Sequence, residues 1–134
     1  MGNSADADHR LHLCRTLILQ RTLAVETLGL PLCTNPVWDM LLDLYIADRD
    51  GRMLYIWPLS VAGKVPISSA HRKIDLMVQK GMVVRMIDER DRRRVGIQLS
   101  DAFREKLEAI FDRLATALQQ PAGSYRNGEH SDHV

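Results

Sequence analysis

Residues 88–94 read DERDRRR, three carboxylates and four guanidinium groups in one unbroken row. Arginine presents a planar fork of N–H donors that matches the geometry of phosphates and carboxylates. Two chemistries are open to such a row. On a solvated loop the acids and bases pair locally, and each pair stabilises little. Presented to a polyanion, Arg90, Arg92, Arg93 and Arg94 become the binding groups. Asp88 and Asp91 then hold guanidinium groups in fixed orientations, so that less freedom is lost on binding. A second group lies upstream in SSAHRK: Ser68, Ser69, His71, Arg72 and Lys73. Hydroxyls, imidazole and cations in that order suit base edges or phosphates, although an ordinary capped surface helix carries the same types. Lys64, in the turn sequence GKVP, is a further cation for a phosphate.

Other chemistries find little support. No nucleophile–base pair, phosphate-binding loop or paired-carboxylate arrangement stands out, so neither an enzyme nor a cofactor is expected. Cys14 and Cys33 make no disulfide framework in a chain of 134 residues, which points to free thiols in a reducing cytoplasm. His130, Asp132 and His133 have metal-capable side chains, but a loose tail offers no fixed ligand geometry, and no metal is expected. No charge-free run is long enough to span a bilayer. The opening MGNSADADHR has no apolar segment, so no secretory leader is expected. Charge is uneven along the chain. Between Ser60 and Val95 nine basic residues face four acidic ones, giving +5 and leaving −4 for the remainder of a chain whose total is +1. Such asymmetry hints at an anionic partner.

The elements that would position these groups follow from periodicity and punctuation. The length fits one domain, expected over residues 8–120, between disordered segments at 1–7 and 121–134. Residues 9–28 have helical spacing, with Leu11, Cys14, Ile18, Val25 and Leu28 on one stripe and Leu13, Leu17 and Ala24 on a second. Two stripes are more than a small core needs. Either the helix is buried in its own domain or one stripe meets a second subunit. GLPLC breaks the pattern. Asn35 and Pro36 then open a helix with Trp38, Leu41, Leu42 and Tyr45 inward, which DRDG closes. RMLYI (52–56) predicts a strand, 58–63 a short helix, and 68–80 a helix capped by Ser68 with Ala70, Ile74, Met77 and Val78 inward. Gly81 ends it. MVVRMI and VGIQL predict a β-hairpin whose tip is DERDRRR. Ser100 caps a last helix with Phe103, Leu107, Ile110, Phe111, Leu114 and Leu118 on one side. The expected fold is therefore mainly α with a small β-wing, a winged helix-turn-helix with flanking N- and C-terminal helices.

The stretch from Ser68 to Ser100 also resembles the core of the MarR family of winged-helix transcription regulators. The family pattern runs from a recognition helix through L-x-x-x-G-L-hydrophobic-x-R to D-x-x-D-x-R and L-[TS]. Met77, Gly81, Met82, Arg85, Asp88, Asp91, Arg93, Leu99 and Ser100 occupy those places. NPVWDMLLDLY resembles the helix that precedes the helix-turn-helix in a short subgroup of the family. The resemblance covers roughly residues 35–100. It departs at Phe103, where the family usually has Gly, and in the single long helix after the wing where the family usually has two.

The resemblance implies a sequence-specific regulator that binds double-stranded DNA, with helix 68–80 in the major groove and the wing on the backbone or minor groove. It implies a homodimer through helices 9–28 and 101–119, and leaves open a small-molecule effector. Arg93, at the family's arginine position, would be held by Asp88 or Asp91, leaving Arg90, Arg92 and Arg94 freer for DNA. Peroxide-sensing members carry a cysteine in the first helix, where this chain has Cys14; its residue type alone reads as a small buried apolar group. A winged helix serving an acidic protein partner is the other reading of the same charges.

Overall fold

A computed structural model describes residues 4–120. Six helices and three short strands follow in the order α1 (Ser4–Leu28), α2 (Leu30–Cys33), α3 (Pro36–Asp50), β1 (Leu54–Tyr55), α4 (Ile56–Gly63), α5 (Ile67–Gln79), β2 (Val83–Ile87), β3 (Val95–Leu99) and α6 (Asp101–Gln119). The sheet is antiparallel with order β1-β3-β2, so β3 is central. Its register pairs Leu54 with Ile97 and Tyr55 with Gly96, and on the other side Val83 with Leu99 and Ile87 with Val95. The tail 121–134 and the metal-capable residues in it lie outside the described residues.

α3 is the hub. Met40, Leu42, Leu44 and Tyr45 are fully buried, and Leu59 of α4, Ile74 and Met77 of α5, and Leu107 and Phe111 of α6 complete the core around them. Tyr45 meets Phe111 edge to face with centroids 5.0 Å apart, and its hydroxyl donates to Glu108 Oε2 at 2.9 Å. Arg10 of α1 grips Asp112 of α6 with two bonds of 2.9 and 2.8 Å. That pair lies at the partly exposed edge of the two helices and contributes about 0–1 kcal/mol. Burial of Leu13 and Cys14 of α1 and of Leu107 and Phe111 of α6 in the core around α3 contributes more to docking each helix, roughly 1.5–3 kcal/mol for each large side chain.

Element ends follow local chemistry. Gly51 closes α3 at φ 70°. Gly81, at φ 74°, closes α5, with Met82 N–H reaching the Met77 carbonyl at 2.9 Å. Ser100 caps α6 as expected: its Oγ accepts from Phe103 N–H at 3.1 Å and donates to the Gly81 carbonyl at 2.7 Å. Gly96 serves a different need. A Cβ there would overlap the Met53 thioether, which lies across the strand.

Several boundaries differ from the sequence reading. α1 begins at Ser4, so residues 4–7, expected to be loose, are helical. The break at GLPLC holds one helical turn, α2, opened by Pro31 early in the turn. β1 is only two residues long, because Ile56 already belongs to α4. Asn35 does precede α3, with Pro36 first in the helix, but its side chain makes no capping bond. α5 starts at Ile67 behind Pro66, whose φ of −61° and ψ of 158° set the helix start, so Ser68 lies inside the first turn and caps nothing. On α1, Leu28 of the expected inward stripe is exposed, as are Leu19 and Leu23.

Candidate nucleic-acid interface

α4, a three-residue turn and α5 form the helix-turn-helix. The turn is tight because Lys64 takes a left-handed conformation, φ 59°, that lets its N–H and that of Val65 close on the carbonyls of Val61 and Ser60, both at 3.1 Å. An L residue adopts this conformation at a cost, and the Lys64 side chain has an anchor that offsets it. Its Nζ lies 3.2 Å from Asp39 Oδ2. Asp39 is almost fully buried and also takes Arg21 Nε at 2.7 Å, while Arg21 Nη2 donates to the Cys33 carbonyl. Lys64, expected to reach a phosphate, therefore turns its ammonium inward to a buried carboxylate that needs a cation.

Along α5, Ala70, Ile74 and Met77 are buried and Val78 is half-buried, so the opposite face is presented outward. Ser68, His71 and Arg72 are exposed, and Ser69 and Lys73 are half-buried. Arg72 Nη2 donates to Ser69 Oγ at 3.4 Å. His71 joins Ile74, Arg85 and Arg93 in the walls of a cleft of about 170 Å³ between α5 and the β2–β3 hairpin. Arg85 in turn pairs with Asp75 of α5. The structure thus brings His71 of the helix and Arg93 of the wing to one cleft.

The tip Asp88–Arg94 is a built turn. Asp88 N–H reaches the Arg94 carbonyl at 3.0 Å, and Arg94 N–H the Asp91 carbonyl at 2.9 Å. Asp88 Oδ1 accepts the backbone N–H groups of Arg90 at 2.8 Å and Asp91 at 3.3 Å. These bonds, the Arg90 N–H foremost and then the Tyr55 hydroxyl, hold the Asp88 carboxyl below the usual carboxylate range. Asp91 binds Arg93 in bidentate fashion, Nε at 3.0 Å and Nη2 at 3.2 Å, and that guanidinium depresses its pKa too. Both aspartates are charged at neutral pH.

The four arginines fall into two classes. Arg93 is oriented by Asp91 while its side chain stays 90% exposed. Arg94 is not free, as the sequence reading had it: its guanidinium lies 3.8 Å above the Tyr55 ring, with Nη1 3.9 Å from Asp88 Oδ2. Among the described residues, no ion pair or side-chain hydrogen bond holds Arg90 or Arg92. Asp88 therefore shapes backbone more than it orients a guanidinium. Tyr55 escaped the sequence reading, since nothing local links β1 to a loop 33 residues away.

Elsewhere the chemistry is quiet. Cys14 is fully buried, its Sγ 3.3 Å from the Leu42 carbonyl, and burial pushes its thiol up to about 12. Its burial in the core makes it a packing residue. Among the described residues no group of three or more His, Cys, Asp and Glu side chains could hold a metal ion, and no helix is long and apolar enough to cross a membrane.

No protein-family model matches the sequence, and no curated protein does. Solved structures match its fold. The Staphylococcus aureus MepR–DNA complex superposes with a TM-score of 0.58 at 19% identity, covering 81% of this chain and 84% of that one. MepR described as a transcription regulator of the multidrug efflux pump MepA gives 0.51 at 21% identity, over 85% and 86%. A MarR family transcriptional regulator from Silicibacter pomeroyi gives 0.52 at 22% identity, over 89% and 75%. The architecture is a MarR-like winged helix: mostly helical, with a small three-stranded antiparallel sheet.

Proposed function

We propose that this chain, which has the fold of MarR-like winged-helix regulators, binds duplex DNA in a sequence-specific manner and regulates transcription. One observation carries the reading. α5 and the wing open on the same cleft, so that His71 and Arg93 approach a ligand from one side. The major groove, about 12 Å wide, admits a helix. Ser68, Ser69, His71, Arg72 and Lys73 then face bases and phosphates. Arg90 and Arg92 reach the adjoining backbone or minor groove, and Arg93 does so in the orientation Asp91 sets. The MepR complex with DNA supports the same use of the same fold.

The regulator acts as a homodimer on a roughly palindromic site. α1 carries an almost wholly apolar groove lined by Leu19, Leu23, Ala24 and Leu28, and α6 leaves Ile110 and Leu118 exposed. A second copy would bury these faces and set the spacing of two half-sites. The cleft of about 170 Å³ beside His71 is smaller than the roughly 300–1,000 Å³ usual for small-molecule pockets, so no effector is assigned to it.

Anisotropy of labelled promoter duplex titrated with salt tests the reading. Arg92→Ala should weaken binding to every sequence and lower the magnitude of the salt slope by about 1. Ser69→Ala or Arg72→Ala should alter sequence preference. A slope that Arg92→Ala leaves unchanged removes the wing from the interface. Binding to an acidic protein with none to duplex overturns the proposal.

A further inference from the structure

The geometry points to Tyr55 as a positioning residue that turns Arg94 into a pre-oriented phosphate contact; this rests on the duplex-binding reading above. Tyr55 acts through two parts of its side chain. Its hydroxyl donates to Asp88 Oδ2 at 3.0 Å, and Asp88 Oδ1 holds the first turn of the tip through the Arg90 and Asp91 amides. Its ring carries the Arg94 guanidinium 3.8 Å above the centroid. Stacking occupies the face of the guanidinium and leaves the in-plane N–H donors for an anion. With half of its side chain exposed, Arg94 keeps the donors beyond the Nη1 that faces Asp88 open to solvent.

The position of Tyr55 in the chain gives the contact its consequence. Tyr55 is the last residue of β1, pairs with Gly96 of β3, and immediately precedes α4 of the helix-turn-helix. The wing tip is therefore clasped to the residue that starts the DNA-reading unit. Without the clasp, the tip is tied to the body through the β2–β3 ladder and through the cleft that Arg93 shares with His71 of α5. With it, Arg94 is held at a fixed place relative to α4 and α5 and loses little freedom on meeting a phosphate. Arg90 and Arg92, without side-chain partners, keep their full rotamer freedom until they bind.

The test is a double-mutant cycle on labelled duplex with Tyr55→Leu, Arg94→Ala and the pair, each titrated with salt. Tyr55→Leu should weaken binding about two- to fivefold, the range of an exposed cation–π contact. It should lower the salt slope as Arg94→Ala does, and the double variant should be no weaker than Arg94→Ala alone. A merely structural role would lower the melting temperature and leave the slope unmoved. Tyr55→Phe keeps the ring and loses the hydroxyl. It should retain the slope of the wild type while the Arg90 and Asp91 amides exchange faster with solvent. Wild-type binding that Tyr55→Leu matches, or losses that add in the double variant, overturn the role of Tyr55 alone. A wild-type chain that binds no duplex overturns the DNA reading and this role with it.

Discussion

At the scale of residues, the aspartates of the tip show how position decides what a charge does. Asp88 accepts two backbone amides and a phenol, and Asp91 a guanidinium. Both therefore titrate below the usual carboxylate range. A carboxylate depressed in the fold stabilises it above the unfolded-state pKa, and that contribution is lost as pH falls through the folded value. The amide signals of Arg90, which donates to Asp88, and of Arg93, which donates to Asp91 Oδ1 at 3.1 Å, should accordingly stay fixed through mildly acidic pH and each move only below the ordinary aspartate midpoint. Amides that move at the ordinary midpoint would contradict these bonds. The pairing of Asp91 with Arg93 was legible, because the two are neighbours in one turn. The inward path of Lys64 was not. Its partner Asp39 is 25 residues away and reads as a polar residue early in a helix, with no local sign that it is buried.

Elements were legible where their ends are written locally. DRDG, GKVP, the glycine after α5 and Ser100 each stop or start a helix by local chemistry that a short window contains, and the two β-prone runs flanking DERDRRR mark the hairpin. α2 and the start of α1 were missed because one helical turn in a proline-containing break, and a polar first turn, carry no periodicity. The first helix was read as two apolar stripes, with burial in its own domain or a subunit contact left open, whereas the exposed leucines are Leu28 of the first stripe and Leu19 and Leu23 of neither. Its apolar residues are spread around the helix, so spacing alone could not choose the buried side. Two substitutions test elements. Asp39→Ala leaves Arg21 and Lys64 without their shared carboxylate and should cost about 3–5 kcal/mol in urea unfolding. Ser100→Ala should cost about 1 kcal/mol through loss of the cap of α6. If Asp39→Ala proved no worse than Ser100→Ala, the buried ion pairs would not hold the turn between α4 and α5.

At the scale of the whole molecule, the exposed leucines of α1 and the charged wing belong to different parts of the surface, one suited to a second copy and the other to a polyanion. Leu23→Glu should place a charge in the apolar groove, reduce the mass seen in sedimentation equilibrium to that of one chain, and weaken binding to a two-half-site duplex far more than to a single half-site. An unchanged mass would exclude α1 from the subunit contact. The two-residue β1 has a further consequence, for the order in which the molecule assembles. The β2–β3 hairpin is local and can zip early, but β1 reaches β3 only after the helix-turn-helix lies between them in a closed loop, an entropic cost that delays its docking. The sheet should thus gain its third strand last, and with few ladder bonds to hold it, shed that strand first.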